Sequence, residues 1–279
     1  MKAQIFRKCL NNNLWEVMNN FSFYVLGNFS PNINTFGKRK STCYLLKGFS
    51  KYIFLDFGAG VFSKFLNMVK NNKISLDNIY IIISHNHVDH NLSLLSLGVY
   101  LLKYNKKNNK KIKVDVVLPK RSIVFNIISK FKDVYDIHIL DENTIIHIDN
   151  ATFSFCETIH KGKSYATKIQ VENRAFVYTS DIARYSSKLR KFVDGSDSVL
   201  IDAGYPRKRL KLFRNYHGIT KEILNETAKL EVRKIYATHI RFFSNVKDYY
   251  TSFPKNIDTE LVAIDKDYRM FKSKKKNTF

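Results

Sequence analysis

An α/β chain with two sheets covered by helices is what this sequence predicts, and three observations predict it. Short apolar strands alternate with helical runs over the first half. A nearly unbroken series of strands then occupies 145–180. Hydrophobic residues make up 44% of the 279, enough for one compact domain with a substantial core. The expected organisation is an extension over 1–20, a single domain over 21–271 and a basic tail over 272–279.

The elements follow in order. Residues 1–20 read as an arm or short helix, interrupted by Asn11-Asn12-Asn13. Phe21 to Leu26 alternates into a strand that stops at Gly27, and a loop from Asn28 to Lys40 follows. Cys43–Leu46 and Tyr52–Leu55 read as a hairpin pair closed at Gly48. Asp56-Phe57-Gly58-Ala59-Gly60 ends it, and glycines after an acid mark a tight backbone approach. Asp56 has two compatible readings, an acid that orients a metal-binding histidine and the cap of a helix over Val61–Lys70. Ile79–Ile83 is a buried strand, and Leu92–Tyr104 and Ile123–Phe131 are helical runs. Between those runs lies a strand at Val114–Leu118, and another follows at Ile137–Leu140. The strand-rich stretch holds Ile145–Ile148, Thr152–Cys156, Tyr165–Val171 and Ala175–Tyr178. The remainder reads as strands at Val199–Ile201 and Lys234–Ala237, a helix at Lys221–Leu230, and closing strands near Leu261–Ile264 and Tyr268–Phe271.

Charge and cysteine usage narrow the classes. The formal net charge is +23, which favours polyanions, nucleic acid first. The alternative is composition alone, because lysine, asparagine and isoleucine abound in products of A/T-rich genomes. Cys9, Cys43 and Cys156 are odd in number and far apart, with no CxxC pair. That pattern predicts reduced thiols in a cytoplasmic protein and no thiolate ligand. No apolar run reaches roughly 18 residues, so no membrane span is expected.

Chemistry concentrates in Ser84-His85-Asn86-His87-Val88-Asp89-His90, directly after the Ile79–Ile83 strand. Imidazole nitrogens and a carboxylate oxygen at this density suit zinc. Read alone, the alternative to a metal-ligand set is a polar loop with solvated histidines. Four later residues stand at or near element ends: His160, Asp181, His217 and His239. Ligands gathered from several strand ends are how α/β sites are built. His138 and His147 lack that placement and are read as ordinary.

The order His-x-His-x-Asp-His, then His160, Ser180-Asp181 and Thr238-His239, resembles the metallo-β-lactamase superfamily. Leu55-Asp56-Phe57-Gly58 resembles its early acid, and Val25-Leu26-Gly27 with His217 resembles the ribonuclease Z and cyclic-nucleotide phosphodiesterase branch. The resemblance implies an α/β (α+β) fold, a four-layer αββα sandwich with the site at one sheet edge. It implies two Zn²⁺, with Mn²⁺ as the alternative metal. His85, His87 and His160 would hold one cation, Asp89, His90 and His239 the other, and Asp181 both. Asp89 and His217 would be the catalytic residues, with His217 touching the scissile phosphate or protonating the leaving oxygen.

The function this implies is phosphodiester hydrolysis through a metal-bridging hydroxide, on a cyclic nucleotide or similar small substrate. Only 21 positions separate His160 from Asp181, too few for a tRNA-gripping arm. Against that, Arg207, Lys208, Arg209 and Arg214 lie just upstream of His217 and could hold a nucleic-acid backbone. An RNA 3′-end endonuclease is therefore the alternative enzyme, and thioester or lactone hydrolysis a further one. A basic nucleic-acid-binding protein with a structural metal site is the alternative of another class. The expected partners are a cyclic nucleotide or RNA substrate and a second copy of the chain in a homodimer, with no membrane.

Overall fold

Seven strands form one sheet in simple sequence order, and eight form another. The computed structural model describes residues 14–18, 21–28, 40–120, 123–202, 216–239, 260–264 and 270–272. The chain divides into two compact units, Asn11–Asp141 and Glu142–Phe279. Each sheet collects its own helices and builds its own core.

In the first unit, β1 (Leu14–Met18), β2 (Phe21–Gly27), β3 (Cys43–Lys47) and β4 (Tyr52–Leu55) pair antiparallel. Then β5 (Ile79–Ile82), β6 (Val114–Leu118) and β7 (Tyr135–Ile139) continue in parallel from β4. Leu14–Met18 was expected as an arm or short helix before the domain; it is the edge strand of this sheet. The parallel strands need crossovers, supplied by α1 (Val61–Lys70), α2 (Val88–Asn91) with α3 (Ser93–Asn108), and α4 (Ile123–Ile128). Phe54, Phe57 and Phe65 meet edge to face with ring centroids 5.5–5.7 Å apart. They tie β4, the loop after it and α1 into the core that also holds Ile81, Leu94, Leu97 and Leu101.

In the second unit, β8 (Ile145–Ile148), β9 (Ala151–Glu157), β10 (Tyr165–Val171) and β11 (Arg174–Tyr178) are antiparallel. From β11 onward, β12 (Ser198–Asp202), β13 (Lys234–Thr238) and β14 (Glu260–Ile264) are parallel, and β15 (Met270–Lys272) closes antiparallel. α6 (Thr220–Thr227) packs Ile223 and Leu224 on Val199, Ile201 and Ile235. α5 (Ser187–Val193) has no counterpart in the sequence reading; Ser186 caps it by accepting the Leu189 N–H at 3.0 Å. Cys43 and Cys156 are free and buried. Burial pushes the Cys43 thiol well above its usual value and that of Cys156 up to about 11.

Candidate metal centre

Both clusters sit at the carboxyl ends of parallel strands, each within one unit. β4 delivers Asp56 and β5 delivers Ser84 to His87, side by side, because Leu55 pairs with Ile82. The Asp56 carboxylate is fully buried. It accepts the Ser84 N–H at 2.7 Å, the Ser84 hydroxyl at 2.9 Å and the His90 Nδ1–H at 2.7 Å. A carboxylate can only accept, so the ring hydrogen of His90 is on Nδ1 and Nε2 presents a lone pair. That Nε2 stands 3.5 Å from the Asp89 carboxylate. His85 Nε2 and His87 Nδ1 are 2.9 Å apart, at hydrogen-bond spacing. The helix-cap reading of Asp56 is not what the backbone does: Gly60 stands at the cap of α1.

The loop is stapled from behind. Thr42 N–H donates to the Asp89 carbonyl at 3.1 Å, and Phe57 N–H to that of His90 at 2.7 Å. The Ser93 hydroxyl donates to the Gly58 carbonyl at 2.6 Å. Gly58 is required here, since a Cβ would lie 1.9 Å from the Asp89 carbonyl oxygen.

The second cluster comes from three neighbouring strands. Asp181 follows β11, Asp202 ends β12 and His239 follows β13, with Asp202 in register with Thr238. Asp181 Oδ2 lies 3.6 Å from His239 Nε2 and 3.6 Å from His217 Nε2. His217 stacks on His239, centroids 5.1 Å apart, and stands 5.6 Å from the His160 ring. His160 Nδ1 donates to the Tyr216 carbonyl, which leaves its Nε2 as the lone-pair nitrogen. His217 Nδ1 bonds the Asp202 carboxylate at 2.6 Å. Asp202 is the residue that sequence reasoning missed. Its signal was available: Leu-Ile-Asp at the end of β12 repeats Phe-Leu-Asp at the end of β4. Asp56, Ser180 and His239 have φ of 60°, 55° and 59°, the left-handed region that costs about 1–3 kcal/mol outside glycine and concentrates at functional sites.

The donor chemistry fits zinc. Two ligands about 2.1 Å from one tetrahedral ion stand about 3.4 Å apart. The imidazole–carboxylate separations of 3.5–3.6 Å match that, and each places a ring nitrogen against a carboxylate oxygen beyond hydrogen-bond length. The His85–His87 nitrogens would open by about half an ångström to share an ion. His138 and His147 are exposed and outside both clusters. Arg207, Lys208, Arg209 and Arg214 lie outside the described residues. Among the described residues, no helix is long and apolar enough to cross a membrane.

The sequence model of a family described as "Beta-lactamase superfamily domain" matches residues 53–240. No curated protein sequence matches the chain. Among solved structures, it is similar to the metallo-β-lactamase fold protein YhfI from Bacillus subtilis, at TM-score 0.74 and 18% identity, over 91% of this chain and 99% of that one. A diphosphatase of the PhnP family matches at TM-score 0.65 and 16% identity, over 92% of this chain and 98% of that one. The short form of human tRNase Z matches at 0.62 and 14%, over 79% and 93%. At these identities the likeness is one of fold, and the family match supplies the rest: the chain belongs to the beta-lactamase superfamily and is a metal-dependent hydrolase with the metallo-β-lactamase fold.

Proposed function

We propose that the protein is a dinuclear zinc phosphodiesterase acting on a small phosphodiester such as a cyclic nucleotide. Its ligands are His85, His87, Asp89, His90, His160, Asp181 and His239. The observation that carries this is the ligand-spaced imidazole–carboxylate pairing found separately in each unit, Asp89 with His90 and Asp181 with His239. When bound, two such cations supply Lewis acidity, acidifying a water toward pKa roughly 7 and offsetting charge on a phosphoryl group. The chain's own residues do the rest. Asp56 and the Tyr216 carbonyl fix the tautomers of His90 and His160. Asp202 holds His217 so that Nε2 is turned toward Asp181, where it can give a proton to a leaving oxygen.

A small substrate fits the chain between His160 and Asp181. That segment is one hairpin, β10 and β11, turning at Glu172-Asn173, with no arm to grip a tRNA. The net charge of +23 favours the second reading, cleavage at an RNA 3′ end. A screen of cyclic nucleotides against small RNAs with zinc-loaded protein separates the two. Within it, His87→Ala should abolish turnover and lower bound zinc; full turnover in that variant overturns the ligand assignment. His217→Ala should slow turnover by about 10²–10⁴-fold with zinc retained, as for a lost general acid. Loss of zinc with it would make His217 a ligand instead.

A further inference from the structure

The third parallel strand of the first sheet contributes a residue that the ligand set does not use. Ile82 of β5 pairs with Val117 of β6, so the chain leaving β6 emerges beside His85. That chain is Pro119-Lys120. Asn86, the residue between the first two motif histidines, reaches across to it. Its Nδ2 donates to the Pro119 carbonyl at 3.3 Å and to the Lys120 carbonyl at 3.1 Å. Two consecutive carbonyls held by one amide fix where the Lys120 backbone stands relative to His85 and His87. The Lys120 side chain is exposed and makes no ion pair among the described residues. Lys113 and Lys188, by contrast, are committed to Asp136 and Glu142.

We infer that Lys120 is the anion contact of this site and that Asn86 is its positioning residue. The inference rests on the phosphodiesterase reading and narrows it to substrates that place a phosphate oxygen at the β5–β6 end of the cluster. An ammonium is a compact, strongly hydrated point charge on a flexible stem, suited to a phosphate at a solvent-facing rim. Asn86 acts through Lys120 and touches no substrate.

The test is inorganic phosphate binding by titration calorimetry on the zinc-loaded full chain, beside kinetics on bis(p-nitrophenyl) phosphate. Lys120→Ala is expected to weaken phosphate binding and raise KM by about three- to tenfold, as for one partly solvated charge contact. The loss should fall on KM rather than kcat, and Lys120→Arg should restore most of it. Asn86→Ala should move KM the same way by less, and add little to Lys120→Ala in the double variant, because both act through one contact. Wild-type phosphate affinity in Lys120→Ala overturns the inference, as does full additivity in the double variant. If Asn86→Ala does not fold, the two Lys120 variants decide. Should wild type bind phosphate but turn over no phosphodiester, a loss of affinity in Lys120→Ala upholds the anion contact while the phosphodiesterase reading falls.

Discussion

Two carboxylates do the same work in the two clusters. Asp56 takes the Nδ1–H of His90, and Asp202 bonds Nδ1 of His217. Both are buried, so removing either leaves a ring free to turn and buried donors without acceptors. Asp56→Ala is expected to lower zinc affinity by about 10–100-fold, the usual effect of losing a group that orients a ligand; competition with a chromogenic chelator measures it. Asp202→Ala should instead lower kcat and leave zinc content near that of wild type if His217 is an acid, which paired metal analysis and kinetics check. The histidines of the motif and the strand-end histidines were legible because imidazole in a short polar stretch after an apolar strand has few other uses. The pairings with Asp56 and Asp202 were harder to see, since they join positions 34 and 15 apart. Asp56 was suspected because glycines follow it; Asp202, followed by Ala203-Gly204, carries a similar mark that sequence reasoning passed over.

At the scale of elements, the site is assembled by strand ends and by the turns that leave them. Gly58 shows how tight this is. A methyl there would meet the Asp89 carbonyl and push α2 off the loop after β4. Gly58→Ala should cost about 1–3 kcal/mol as an overpacked contact, read as a lower urea midpoint, with zinc lost alongside. Two elements escaped sequence reading for identifiable reasons. β1 follows Asn11-Asn12-Asn13, and its strand character comes from pairing with β2, which no local pattern reports. α5 is only 7 residues long, with apolar positions at Leu189, Phe192 and Val193, too brief for its period to stand out.

Across the whole molecule, charge and burial set the response to pH. Burial pulls the Lys64 ammonium down from its usual 10.5 to about 8, although its Nζ donates to the Val25 and Leu26 carbonyls at 3.4 Å. A lysine whose folded value is depressed costs stability in full below about 8, where both states are protonated. That cost is relieved as pH rises toward 10.5, because the unfolded chain then holds the extra proton. Cys43 and Cys156 act oppositely above their usual 9.0, since the folded thiols stay protonated. Lys64→Met should therefore stabilise the protein at pH 7 and flatten the rise in stability between about pH 8 and 9, measured by urea unfolding across that range.

By itself the sequence determined the alternation of strands and helices, the family resemblance and the residue types of the candidate metal centre, because these depend on local periodicity and side-chain chemistry. Tertiary structure decided which carboxylate holds which imidazole, which loop Asn86 pins, and that each sheet anchors a unit of its own. Those outcomes depend on strand register, and register brings together residues that chain order keeps apart.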